Sequence, residues 1–111
     1  MKREIKFKVW DKNKSQMSEP FELNNELDCY MGWLDGCELM QYTGLKDKNG
    51  VEIYEGDIVE DSSSRYKIIY HTDGFYLHNI YEPENILLQL RHCYLLNTVI
   101  GNIYENPELI K

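Results

Sequence analysis

Hydrophobic and polar residues alternate along much of this chain with a period of two, the signature of strands that bury one face and wet the other. Ile5, Phe7 and Val9 alternate with Glu4, Lys6 and Lys8, and Trp10 extends the other face. Tyr66, Ile68 and Tyr70 alternate with Arg65, Lys67 and Ile69 in the same way. Thr98 to Tyr104 carries Val99, Ile100 and Ile103 around Gly101, where a bulge or a close backbone approach is expected. The pattern is densest from Leu39 to Glu60. Leu39, Met40 and Tyr42 precede Thr43-Gly44, and Val51, Ile53 and Tyr54 follow the polar run Lys46 to Gly50.

Turn residues punctuate these strands. Asn49-Gly50 offers two adjacent positions that tolerate positive φ, which predicts a hairpin over Lys48 to Val51. Tyr54-Glu55-Gly56-Asp57 predicts a tight turn before Ile58-Val59, with Asp57 able to bond nearby amides. Ser62 to Ser64 reads as a flexible turn. Asp73-Gly74 predicts another hairpin, returning through Phe75 to Tyr81 until Glu82-Pro83-Glu84-Asn85 stops it.

Other stretches leave alternatives open. Asp11 to Lys14 should turn the chain, and Met17 to Leu23 reads as a strand that Pro20 interrupts or places on an edge. Residues 24 to 37 hold Leu27, Tyr30, Met31, Trp33 and Leu34 among acids, which fits a short amphipathic helix or a long loop. Ile86 to Leu96 suits a helix face or a buried strand equally. Asn106-Pro107-Glu108 has the cap, first-turn proline and acid of a short C-terminal helix. The expected fold class is mainly β: a small, partly open barrel, SH3-like or related, with hairpin extensions and a short C-terminal helix. At 111 residues a single domain, 1–111, is expected.

Composition narrows the functional classes. Hydrophobic residues make up 42% of the chain, too many for a disordered one. Twelve basic against 19 acidic residues give a net charge of -7, which disfavours nucleic acid as a partner unless a basic face is segregated. No apolar run reaches signal-peptide or membrane-spanning length, so the expectation is a cytoplasmic protein with no membrane partner. Cys29, Cys37 and Cys93 show no CxxC spacing and suggest neither a disulfide framework nor a zinc site.

Three blocks carry a resemblance. LMQYTGLKDKNG with IYEGDIV in the middle, REIKFKVWD (Arg3 to Asp11) at the start, and VIGNIYENPEL (Val99 to Leu109) near the end together resemble the YopX family. That resemblance implies a small, mainly β domain, encoded largely by bacteriophages and prophages, in a family without an established activity or assigned catalytic residues.

Candidate chemistry is weighed against structural explanations. Gly44, Gly50, Gly56 and Gly101 are where turns or bulges need a missing Cβ. Tyr42, Tyr54 and Tyr104 read as packing tyrosines with hydroxyls at the rim rather than as a stacking platform. Glu52, Glu55, Asp57, Glu60 and Asp61 supply carboxylates for acid–base work or a hard cation, but alternation would send neighbours to opposite faces. His71, His78 and His92 read as surface or interface histidines, and the adjacent His92-Cys93 pair would diverge on a strand. Asp47-Lys48-Asn49-Gly50 lacks the spacing of a calcium loop. No catalytic, cofactor-binding or metal-binding residue is assigned, and no cofactor is expected; the chain is read as a non-enzyme.

Two functions follow. The leading one is a protein-interaction or self-assembly module, with exposed tyrosines, Trp10 and Trp33 as anchors for a second copy or for a phage or host protein. The alternative is a nucleic-acid-binding barrel in which Arg65, Lys67, Tyr66 and Tyr70 share one hairpin.

Overall fold

A computed structural model describes residues 5–22, 37–71, 73–81 and 88–110. The chain forms strands β1 (Lys6–Asp11), β2 (Gln16–Met17), β3 (Phe21–Glu22), β4 (Cys37–Lys46), β5 (Glu52–Tyr54), β6 (Asp57–Glu60), β7 (Arg65–His71), β8 (Gly74–Asn79) and β9 (Leu88–Gln89). A single helical turn α1 (Leu90–Cys93), a 3₁₀ turn (Tyr94–Leu96), strand β10 (Thr98–Asn102) and a 3₁₀ turn (Pro107–Ile110) complete it.

Two antiparallel sheets result. In the first the order is β2-β1-β4-β5, with β3 also on β1; in the second it is β10-β6-β7-β8-β9. The first curls into a half-barrel, so the expected class holds: mainly β, a small, partly open barrel. Ser18 to Pro20 separates β2 from β3, and both pair with β1, as the edge proline requires. The stretch 24–36, read as helix or loop, lies outside the described residues.

The turns depart from expectation in detail. β4 continues through Thr43-Gly44, where Gly44 at φ 87° and a register shift between Tyr42 and Lys46 mark a bulge inside one long strand. The loop over Asp47–Val51 uses positive φ at Gly50 (84°) and not at Asn49, and the Gly50 N–H donates to Asp47 O at 3.0 Å. That is a three-residue hairpin loop ending in a left-handed glycine, not the two-residue loop with both positions inverted. Gly74 already pairs with His71, so the β7–β8 turn sits one residue earlier than Asp73-Gly74 suggests. The stretch read as helix or strand is neither throughout: two residues of strand give way to single turns of helix.

β5 is the hinge of the fold. Its adjacent Ile53 and Tyr54 are both fully buried, and alternation sends them to opposite faces. Ile53 enters a cluster with Val59, Tyr66, Ile68, Leu77 and Leu90, while Tyr54 joins Met40 and Tyr42 in a second, with Met17 and Tyr104 against it. Two small cores therefore meet back to back across three residues of chain, and the residues that fix β5 fix both.

Candidate functional site

Chemistry-bearing side chains converge around β5, at the loops on either side of it. Asp47 leads into β5 and is 3% exposed. Its Oδ1 accepts the N–H groups of Asn49 (2.8 Å) and Val51 (2.9 Å), and its Oδ2 accepts that of Val99 on β10 (2.8 Å). The Lys48 N–H donates to Asn97 O at 3.2 Å, so side chain and backbone together pin this loop to the strand that ends the second sheet. Burial alone would raise the Asp47 carboxyl, but the three amides from Val99, Val51 and Asn49 outweigh it and hold the group below its ordinary value.

Asp57 closes the other side. It is 5% exposed, and its Oδ2 accepts the Tyr54 N–H at 2.7 Å across the turn. The turn itself depends on Gly56 at φ 89°, where an added Cβ would stand 3.3 Å from the Tyr104 ring and 3.4 Å from the Met40 methyl. Here burial prevails and pushes the Asp57 carboxyl up to about 7, with the Tyr54 amide and Lys8 pulling it down and Glu105 opposing them.

The concave side of the first sheet carries a polar and aromatic cluster. The Tyr54 hydroxyl donates to Glu52 Oε1 at 3.0 Å, Lys6 pairs with Glu52 Oε2, and Lys8 Nζ stands 4.4 Å from the centre of the Tyr54 ring. Burial and the Glu52 carboxylate push the Tyr54 phenol far up. Burial also acts to raise Glu52, but Lys6 and the Tyr54 hydroxyl lower it further, below its usual range. Strand β1 departs from expectation in that both of its faces are half-buried and neither is simply wet. Lys8 sits opposite the buried Met40, so the lysine face is packed too: the stems cover apolar surface and the ammonium groups find rings and a carboxylate.

A third tie lies after β10. Asn106 Oδ1 accepts the Asn102 N–H at 3.1 Å, and a Cβ at Gly101 would meet that same Oδ1 at 2.5 Å. Asn106 therefore braces the strand end with its side chain, while its backbone O accepts the Leu109 N–H at 3.0 Å and opens the short C-terminal helix expected there, a 3₁₀ turn; the close approach read at Gly101 is real.

The remaining candidates are dispersed. Asp61 orders the turn that follows it by accepting the N–H groups of Ser63 and Ser64, both at 2.8 Å, so the serine run is a closed turn. Among the described residues no three His, Cys, Asp or Glu side chains could hold a metal ion together. His71 stacks edge-on against Tyr76, and His92-Cys93 lies in a helical turn, not a strand. Trp10 is half-buried and stacked on Tyr104, while Cys29 and Trp33 lie outside the described residues. On β7 the alternation sends Tyr66 and Tyr70 to one face and Arg65 and Lys67 to the other. Tyr66 is buried with its hydroxyl on Asp61, and Arg65 is held by Glu60 and by Leu109 O. The basic and aromatic groups of the nucleic-acid reading do not share a surface.

Among the described residues, an apolar surface stays open on the second sheet. Tyr70 pairs with Phe75 and Leu77 with Leu88, so all four share the face that carries the first core, and at its open end Tyr70 is 55% and Leu88 43% exposed. The Tyr70 and Phe75 rings meet edge to face at 5.3 Å. Beside them a hollow of about 170 Å³ opens among Leu45 of β4, Phe75 and Tyr76 of β8, and Leu90, with Asp73, Gln89 and Arg91 also lining it.

A family model described as YopX protein matches residues 6–111 of the chain. The chain belongs to the YopX family. A solved structure, that of protein EF1440 from Enterococcus faecalis, is similar to this YopX-family chain with 28% sequence identity and a TM-score of 0.63, covering 96% of this chain and 98% of that one. No curated protein matches. The likeness extends the architecture to a second protein and brings no chemistry with it. Two of the three blocks that carry the family resemblance build the ties just described: the middle one holds Asp47, Tyr54, Gly56 and Asp57, and the last holds Val99, Gly101 and Asn106. The opening block lays β1 against them.

Proposed function

We propose that this YopX-family domain works as a protein-interaction or self-assembly module, a phage- or prophage-encoded accessory protein that binds a second copy or a phage or host protein. The observation that carries the reading is the face on which Tyr70 and Leu88 stand exposed around the half-buried Phe75, beside its hollow. Aromatic and aliphatic side chains of this kind, held rigid by a strand pair, lose little entropy when a partner covers them. The carboxylates around β5 support it indirectly, because Asp47, Glu52, Asp57 and Asp61 each meet backbone amides or a side-chain partner inside the fold.

Light scattering over a range of concentrations, with pull-down from prophage-induced cells, tests this. Self-association or a retained protein is expected, reduced in Tyr70→Ser and Leu88→Ser while far-ultraviolet circular dichroism shows the fold retained. Monomers at every concentration with no retained protein would overturn it, and so would binding unaffected by either substitution.

A further inference from the structure

The turn Tyr54–Asp57 joins the two sheets, and its backbone is bonded outward on two sides. The Gly56 N–H donates to Ile68 O on β7 and the Ile103 N–H donates to Gly56 O, both at 2.9 Å. Asp57 fastens the same turn from within through its bond to the Tyr54 N–H. A carboxyl group enclosed to this degree favours its neutral form, because taking an ion out of water costs more than one amide donor returns.

The groups around it do not cancel that preference. Lys8, reaching over from β1, favours the ion; Glu105, in the turn after β10, opposes it. Tyr54 on β5 and Tyr104 against Gly56 are phenols that burial pushes up, so both stay neutral here. Glu52 is turned toward Lys6. Opposite Asp57 on β10 stands Asn102, which carries no charge.

We propose that Asp57 is a proton-operated latch on the junction between the two sheets, closed while its carboxyl is neutral and loosened as it ionises. The folded turn holds the proton more tightly than an opened one, where the group returns to its ordinary 3.8; in place it stands at about 7. The stabilisation is therefore complete below the ordinary value and is lost as pH rises to about 7, above which no more is lost. Within that window opening of the junction grows about tenfold per pH unit. A protein with such a latch loosens the joint between its cores as its surroundings move from mildly acidic to neutral.

Amide hydrogen exchange at Gly56 and Ile103, corrected for the intrinsic rate, reads the opening directly. Between about pH 5 and 8 the wild-type opening constant should rise up to about a hundredfold and level off above 7. Asp57→Asn imitates the neutral acid and keeps an acceptor for the Tyr54 N–H, so its opening constant should lose most of that rise; what is left belongs to Glu55 in the same turn, whose carboxyl burial also raises. Carboxyl carbon-13 titration of the wild type keeps the test independent of whether that variant folds. The Asp57 midpoint is expected near 7, lowered by Glu105→Gln and raised by Lys8→Met. A midpoint below about 5, or wild-type opening that does not change with pH, would overturn the latch.

Discussion

Replacing Asp47 with alanine removes, in one step, the acceptor of three backbone N–H groups. Hydrogen bonds to an ionised carboxylate contribute about 1.5–3 kcal/mol each, but the three are not equivalent. Asn49 and Val51 are exposed, so their amides regain water; Val99 sits half-buried on β10, where its N–H is left without the acceptor it had. The expected loss is about 3–4 kcal/mol, a large share of the roughly 5–15 kcal/mol that holds a domain folded. Urea unfolding at about pH 6 would show it as a midpoint lowered by about 2 M, given slopes of about 1–3 kcal/mol per molar. Asp47→Asn retains one carbonyl oxygen for the two loop amides but turns an NH₂ toward Val99, so about half the loss should appear. Because the fold lowers the Asp47 carboxyl, its contribution is present above the ordinary carboxylate range and disappears as pH falls through the lowered value; neither variant should show that acid-side loss. A cost for Asp47→Ala below about 1 kcal/mol, the level of an ordinary surface substitution, would refute the reasoning.

Two glycine substitutions probe the other ties. Gly101→Ala should cost about 1–3 kcal/mol in the same urea assay, because the new methyl displaces Asn106 Oδ1 from the Asn102 N–H. Gly56→Ala should cost about 1–2 kcal/mol from the left-handed backbone alone, with the contact to Tyr104 and Met40 adding to it. At Gly44 and Gly50 an added Cβ meets nothing within 4 Å, so alanine there should show the backbone cost only.

What was legible in the sequence was local. Strand alternation over Arg65–Tyr70, the Gly56 turn and the crowded Gly101 all act within a few residues, and each was found where the residues place it. The faces of β1 were not legible, since a lysine stem packs as an apolar chain when a ring and a carboxylate lie opposite, and those belong to β4 and β5. Gly44 reads as a turn or a bulge, because glycine signals left-handed backbone without telling one from the other. Asp47 had a usable signal, an aspartate two residues before Asn49-Gly50 that can accept the loop's own amides; its bond to Val99, 52 residues away, has none. Alternation on β7 could have separated Arg65 and Lys67 from Tyr66 and Tyr70 in advance. The exposure of Tyr70 and Leu88 depends on how the two sheets meet, which no window of sequence contains.

Native-state hydrogen exchange at about pH 5, where Asp57 is protonated, tests most directly whether the loops flanking β5 weld the two cores together. The amides of Asp47 and Val99 should exchange only through global unfolding, with the same free energy as the β7–β8 ladder. Exchange of these two through a smaller opening, while β7 and β8 stay protected, would contradict the account.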